Sequence, residues 1–239
     1  MKAWQAVALG AALLTAATAA SAAGLRPFSV DYSVKYSSLS VGATRMELRR
    51  DTQPGRWIFE SRANASGFAR LLASGTLVQT SWLAVDEGRV RPLRFRFDDG
   101  MERASEDVSL DFDWDAGRVT GTAKGEPVDV ATVPDLQDPV SLQVAIMAAL
   151  QSGRQPGRQP MLEGRKIKTY DYQLVRRERL TTPAGSFDTV VYASSRAGSD
   201  RVTHMWLAPS LGYLAVQVEQ YRKEKRLFAM YVEKYRPLD

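Results

Sequence analysis

Apolar and polar residues alternate along most of this chain. Phe28, Val30, Tyr32, Val34 and Tyr36 fall on one side of an extended segment, and Ser29, Asp31, Ser33 and Lys35 on the other. A period of two marks a strand with one buried and one wet face. Val41–Arg49 reads as its antiparallel partner, Gln53-Pro-Gly55 turns the chain, and Trp57–Ala65 returns. Gly75–Val85 is the next strand and carries Trp82. Leu93, Phe95 and Phe97 then alternate with Arg94, Arg96 and Asp98, and Val108, Leu110, Phe112 and Trp114 with Ser109, Asp111, Asp113 and Asp115. Lys166–Arg179, Phe187–Tyr192, Val202–Leu207, Tyr213–Glu219 and Leu227–Tyr235 complete the set. Ser66–Gly75 fits either a short helical turn or a loop that dips into the core.

The turns carry their own chemistry. Pro209-Ser-Leu-Gly212 separates two strands, with Pro presetting an early turn position and Gly supplying positive φ at the end. Val85-Asp-Glu-Gly-Arg-Val90 and Trp114-Asp-Ala-Gly-Arg-Val119 share the pattern Asp-x-Gly-Arg-Val. A type I turn followed by a left-handed glycine fits both. Common turn chemistry explains the likeness better than an internal duplication. Gly153-Arg-Gln-Pro-Gly-Arg-Gln-Pro160 is a tandem tetrapeptide and reads as an exposed loop.

One segment breaks the period of two. From Asp138 to Gln151 the apolar residues Val140, Leu142, Val144, Ile146, Met147 and Leu150 go nearly all the way round a helix. Such a helix is buried on most sides. Asp138 can cap its first amides, Pro139 suits its first position, and Gly153 can end it. The expected fold is therefore mainly β. A single antiparallel, strongly curved or spiral incomplete β-barrel of about 10–12 strands holds one buried helix (about 138–151) on its concave side. No shift in composition splits residues 23–239 into two domains.

Composition adds a compartment. Lys2 is followed by the apolar, small-residue run Ala3–Ala19 and by Ala20-Ser-Ala22, which fits a small-x-small cleavage site. Residues 1–22 are expected to be a signal peptide removed near Ala22, placing the rest in the periplasm. No later run approaches ~18 consecutive apolar residues, so no transmembrane segment is expected in the mature chain. The chain has no cysteine, so neither a disulfide nor a lipid anchor on cysteine can form. The formal charge is +5, from 32 basic and 27 acidic residues. The arginines are spread along strands as a solvated face rather than clustered, and nothing resembles a nucleic-acid motif.

Candidate chemistry is sparse. His204 is the lone histidine and shares a strand face with Val202 and Trp206. Ser210 and Asp200 are near it in sequence, but no Gly-x-Ser-x-Gly elbow exists, and a packing role is expected. Asp111, Asp113 and Asp115 superficially resemble a calcium loop. The glycine comes one place late, and Thr122 stands where a bidentate Glu belongs, so no metal site is expected. Glu102, Glu106 and Asp107 beside Arg103 read as a solvated acidic loop. No cofactor motif and no catalytic set are found. The large aromatics pack a core or line an apolar ligand cavity. On the second reading Trp82, Phe95, Trp114 and Trp206 are the ligand-binding residues.

Several stretches carry a resemblance. Pro27-Phe-Ser-Val-Asp-Tyr-Ser-Val-Lys-Tyr36, Gln137-Asp-Pro-Val-Ser-Leu142, Arg179-Leu-Thr-Thr-Pro-Ala-Gly-Ser-Phe-Asp-Thr189 and Trp206-Leu-Ala-Pro-Ser-Leu-Gly-Tyr-Leu214, in this order, resemble the bacterial envelope family called domain of unknown function 3108. The resemblance covers nearly all of the chain after residue 22. It implies an exported protein with a curved, incompletely closed sheet, similar to the half-barrels of the lipoprotein carriers LolA and LolB. It brings no catalytic residues. Three functions are weighed on these grounds. The first is a non-enzymatic periplasmic protein binding an apolar or amphipathic envelope molecule, a lipid or lipoprotein, in its concavity. The second is a structural or protein-interaction module of the envelope without a small ligand. The third is a glycan or lipid hydrolase.

Overall fold

The computed structural model describes residues 24–66, 75–101 and 106–239. The alternation produces strands β1 (Phe28–Tyr36), β2 (Leu39–Arg50), β3 (Arg56–Ala65), β4 (Thr76–Asp86), β5 (Arg89–Asp98), β6 (Val108–Asp113) and β7 (Arg118–Ala123). They are followed by β8 (Glu126–Ala131), β9 (Arg158–Glu163), β10 (Lys166–Thr182), β11 (Gly185–Ser195), β12 (Arg201–Ala208), β13 (Leu214–Arg222) and β14 (Lys225–Pro237). The helix α1 (Ser141–Gln151) lies between β8 and β9. All fourteen strands form one antiparallel sheet in the order β8-β7-β6-β5-β4-β3-β2-β1-β14-β13-β12-β11-β10-β9. Consecutive strands pair with one another except β8 and β9, which form the two edges, and the chain's first and last strands, β1 and β14, meet in the middle.

The sheet is curled and not closed. Ser81 on β4 donates a 2.5 Å hydrogen bond to the Asp138 carboxylate, while the adjacent Gln137 bonds β9 through its backbone, its N–H to Pro160 O at 2.9 Å and its O from Leu162 N–H at 2.8 Å. β4 and β9 stand nine places apart in the strand order. Flat, they would be roughly 43 Å apart at ~4.8 Å per strand. Only a sheet rolled round the helix brings both to two successive residues. The far end of α1 repeats the pattern. Gln151 donates to Gly212 O in the β12–β13 connection at 2.8 Å, and Arg154 to Gly88 O in the β4–β5 turn.

The core lies on the inner face. One row of cross-strand partners runs Phe28, Leu48, Phe59, Ser81, Phe95, Leu110, Gly121 and Val128 from β1 to β8. Its side chains are buried. Gly121 is required there, because a Cβ would sit 1.9 Å from Ser109 O, and its φ is +145°. Ser81 is the row's only hydroxyl, and it is spent on Asp138.

Asp138 caps the helix as expected. Its Oδ1 accepts the amides of Val140 and Ser141 at 2.9 and 2.8 Å. The regular helix begins only at Ser141, after a turn at Pro139–Val140. Gly153, at φ +72°, ends it.

The strand count exceeds ten to twelve, and both edge strands account for the excess. β8 contains Pro127 and β9 contains Pro160. Proline cannot donate to a ladder and suits an edge, where it also discourages pairing with another chain. β9 takes up the second half of the tandem tetrapeptide, so Arg158, Gln159 and Pro160 are strand rather than loop. The two Asp-x-Gly-Arg-Val turns also differ from one another. Glu87 and Gly88 form a two-residue loop with φ +46° and +72°, the primed turn of a tight hairpin, whereas the second spans Trp114–Gly117 between Asp113 and Arg118.

Candidate functional site

A cleft of about 220 Å³ opens between α1 and the inner face of the sheet. Its floor is one cross-strand row, Met205 on β12, Val218 on β13 and Met230 on β14. Leu207 and its partner Ala215 extend the floor. Leu142, Gln143 and Ile146 descend from the helix, and Tyr32, Met46, Tyr172 and Tyr213 close the sides. No charged residue lines it among the described residues. Leu142, Ile146 and Leu207 are buried, while Met46, Met205, Met230, Tyr172 and Tyr213 are partly exposed, so the cleft reaches solvent.

Its polar groups are few. The Tyr32 hydroxyl donates to Ala215 O at 2.8 Å. Burial raises the Tyr32 pKa well above the usual phenol value and pushes Tyr172 up to about 12, so both stay neutral. The side-chain N–H₂ of Gln143 is buried beside the Tyr32 hydroxyl, whose oxygen keeps lone pairs to accept from it. Unlined by charge, the cleft suits apolar contact. It provides no nucleophile–base pair.

The four aromatics expected to line one cavity are not gathered round this one. Phe95 lies on the inner face but is packed into the core row between Ser81 and Leu110. Trp82 pairs with Arg94, one residue out of step with the Ser81–Phe95 pair, and therefore faces the opposite side of the sheet, with the Arg94 guanidinium 5.8 Å from its ring. Trp114 stacks on Phe112 at 6.4 Å and donates its ring N–H to Pro92 O at 2.7 Å. Trp206 is buried with its ring N–H on Glu178. It stands between Met205 and Leu207 on β12, so its side chain leaves by the other face. The residues that do line the cleft are the alternate set of the same strand.

The other candidates have ordinary partners. His204 sits edge-on to Trp206 at 6.2 Å and 5.7 Å from Tyr221. Burial, then Arg176, lowers its pKa. Asp200 is bonded to Arg222 at 2.8 Å, which holds its carboxyl below the usual range, and Ser210 lies in the turn Pro209–Leu211. Asp111 accepts from both Arg94 and Arg96, and Asp113 from the Ala116 amide. Glu102 and Arg103 lie outside the described residues; Glu106 pairs with Lys124, and Asp107 accepts the Asp99 amide. Asp98, Asp99 and Asp107 come together, but the Asp99 carboxylate is spent on the amides of Met101 and Glu106. A wider opening of about 500 Å³ at the far end of α1 is lined by Arg26, Gln151, Ser210 and Tyr235 among others. The arginines pair along the strands, as Asp31 does with Arg45 and Arg236.

These features define a curled, open, barrel-like antiparallel sheet around one helix. Residues 31–223 match the model of the family described as protein of unknown function (DUF3108), and the chain belongs to that family. No curated protein matches. Among solved structures, the chain is similar to a beta-barrel-like protein of domain of unknown function DUF1849 from Brucella abortus. The two are 11% identical, with a TM-score of 0.56 over 90% of this chain and 99% of that one. It is also similar to a candidate lipoprotein from Parabacteroides distasonis, 12% identical with a TM-score of 0.38 over 89% and 96% of the two chains. A candidate exported protein with a YmcC-like fold from Bacteroides fragilis gives 11% and 0.36 over 89% and 97%. The Brucella structure shares the fold. No helix among the described residues is long and apolar enough to cross a membrane.

Proposed function

We propose that this chain is a non-enzymatic, exported protein of the cell envelope that takes the apolar chain of a lipid-like molecule into the cleft beneath α1. The observation that carries this reading is the cleft itself: about 220 Å³, uncharged, and lined by Met46, Met205 and Met230 from three strands. An engineered cavity of about 150 Å³ takes benzene, so this one has room for about nine heavy atoms. That is a short chain or the end of a longer one. Methionine is unbranched and polarisable and adapts to variable apolar shapes. The run Lys2–Ala22 supports export. The absence of a nucleophile–base–acid set around His204 among the described residues supports a binding role rather than a hydrolase.

The test is gentle purification from the periplasm, organic extraction and mass spectrometry. The expected result is a copurified lipid or lipid fragment at a substantial fraction of one per chain, on protein whose first residue is Ala23 or close to it. Protein beginning at Met1, or an extract without lipid from protein that also binds none when it is added, would contradict the reading. A second reading rests on Tyr36 and Leu39, which are 58% and 70% exposed at the β1–β2 turn. Large apolar side chains clustered at a surface mark contact sites, and a protein partner captured through that turn, with an empty cleft, would favour an interaction module.

A further inference from the structure

Leu39 and Tyr36 pair across the turn Ser37-Ser38 and are the most exposed large apolar side chains among the described residues. Register ties them to the cleft. Tyr36 pairs with Leu39 on one side and Phe228 on the other, and Val34, two residues back, pairs with Met230. Alternate residues of a strand share a face. Leu39, Tyr36 and Phe228 therefore form the next row outward from Val34 and Met230, on the cleft's own face. The helix runs away from them. α1 starts beside Ser81 and ends at the β4–β5 and β12–β13 turns. With every neighbouring pair antiparallel, the β1–β2 and β13–β14 turns stand at the opposite end. An apolar strip thus leads from the cleft floor to an outermost turn. Its flank is basic. The Ser37 N–H bonds Leu227 O at 2.8 Å, which sets this turn beside Arg222-Lys-Glu-Lys225. Arg222 is matched by Asp200, but Lys223 and Lys225 are exposed and enter no ion pair among the described residues. The acidic group Asp98, Asp99 and Asp107 follows β5, four strand places from β1.

Resting on the lipid-chain reading above, we propose that the Tyr36–Leu39 turn is a lip that docks on an anionic lipid surface and passes an acyl chain along Phe228 and Val34 into the cleft. Each part matches a layer of such a surface. Leucine enters the acyl region, tyrosine sits at headgroup level, and lysines meet anionic headgroups. The strip spares the chain a passage through water, which would cost ~0.8 kcal/mol for each exposed methylene.

The experiment is flotation of the full mature chain with vesicles of phosphatidylcholine, alone or mixed equally with phosphatidylglycerol. Calorimetric titration of the same protein with methyl octanoate reports on the cleft alone. Wild type is expected to float with the mixed vesicles, and far less with phosphatidylcholine or in ~1 M salt, where charges are screened beyond ~3 Å. Leu39→Ser should weaken binding to the mixed vesicles about tenfold. Lys223→Ala with Lys225→Ala should weaken it about thirtyfold. All these residues are exposed, so both variants should melt as wild type does and keep its affinity for methyl octanoate. Wild type that floats with neither vesicle, or Leu39→Ser that floats as well as wild type, would overturn the lip and leave the turn to protein contacts. Equal binding to both vesicles would overturn the anionic surface. Binding to the mixed vesicles without any uptake of methyl octanoate would overturn the lipid-chain reading, and with it the lip's part in loading.

Discussion

Val144→Asp is expected to abolish cooperative folding. Val144 is fully buried in the main apolar cluster, on the side of α1 turned to β1–β8. The substitution removes a side chain whose burial contributes ~1.5–3 kcal/mol and places a carboxyl where no donor waits. An unpaired buried charge belongs to the few mechanisms that cost more than ~4 kcal/mol, against a typical domain stability of ~5–15 kcal/mol. Val144→Ala, which only opens a small cavity, should cost about 1–3 kcal/mol and melt cooperatively. Circular dichroism during heating separates the two. A Val144→Asp melting temperature within a few degrees of wild type would mean that the helix is not enclosed by the sheet.

The second large effect concerns Asp138. Removing the carboxylate by Asp138→Ala leaves the Ser81 hydroxyl and the amides of Val140 and Ser141 without their acceptor. At ~1–3 kcal/mol for each of the three buried donors left unsatisfied, the loss should be about 3–9 kcal/mol. Asp138→Asn keeps an acceptor oxygen for the two amides, and the Ser81 hydroxyl can turn to accept from the new N–H₂, so it should be far milder. The pair also differs from wild type in pH response. Burial raises the Asp138 pKa from 3.8 to about 6 in spite of its hydrogen bonds. The folded protein therefore holds a proton that the unfolded chain has released between about pH 4 and pH 6. This group's stabilising contribution is full below about pH 4 and is lost as pH rises through about 6, for a change of about 3 kcal/mol. Asp31 and Glu178, whose pKa values are lowered by their arginines, act with the opposite sign as pH falls below about 4. His204, whose pKa burial lowers, favours the higher pH in both proteins, so the readout is the difference: between urea midpoints at pH 4.5 and 7.5, wild type should lose stability relative to Asp138→Asn. An equal slope in both proteins would sink the assignment.

Much of this fold is legible in the alternation. The β1 face Phe28, Val30 and Tyr32 is buried as the period of two requires, and α1 is the only regular α-helix among the described residues. What escaped was set by neighbours in space. β8 and β9 contain proline and look like loops until their place at the edges is known. The face of β12 was visible, but not which face looks inward. Trp206 drew the eye, and the cleft took Met205 and Leu207. The lining methionines stand 159 and 25 residues apart along the chain, at positions 46, 205 and 230, and only register joins them: β12, β13 and β14 put Met205, Val218 and Met230 in one row. Gln143 did leave a trace, as a polar residue on a nearly all-apolar helix.

The cleft itself is most directly tested by its methionines. The chain has seven; Met46, Met205 and Met230 line the cleft and Met161 packs behind it, while Met147 is enclosed in the core and Met101 is exposed. Protein labelled with ¹³C at the methionine methyl groups, assigned by single substitution and titrated with methyl octanoate, gives one signal for each. The account predicts that Met46, Met205 and Met230 shift together along one binding curve, with Met101 and Met147 nearly still. A titration in which these three stay fixed, or in which shifts appear only elsewhere, would contradict it.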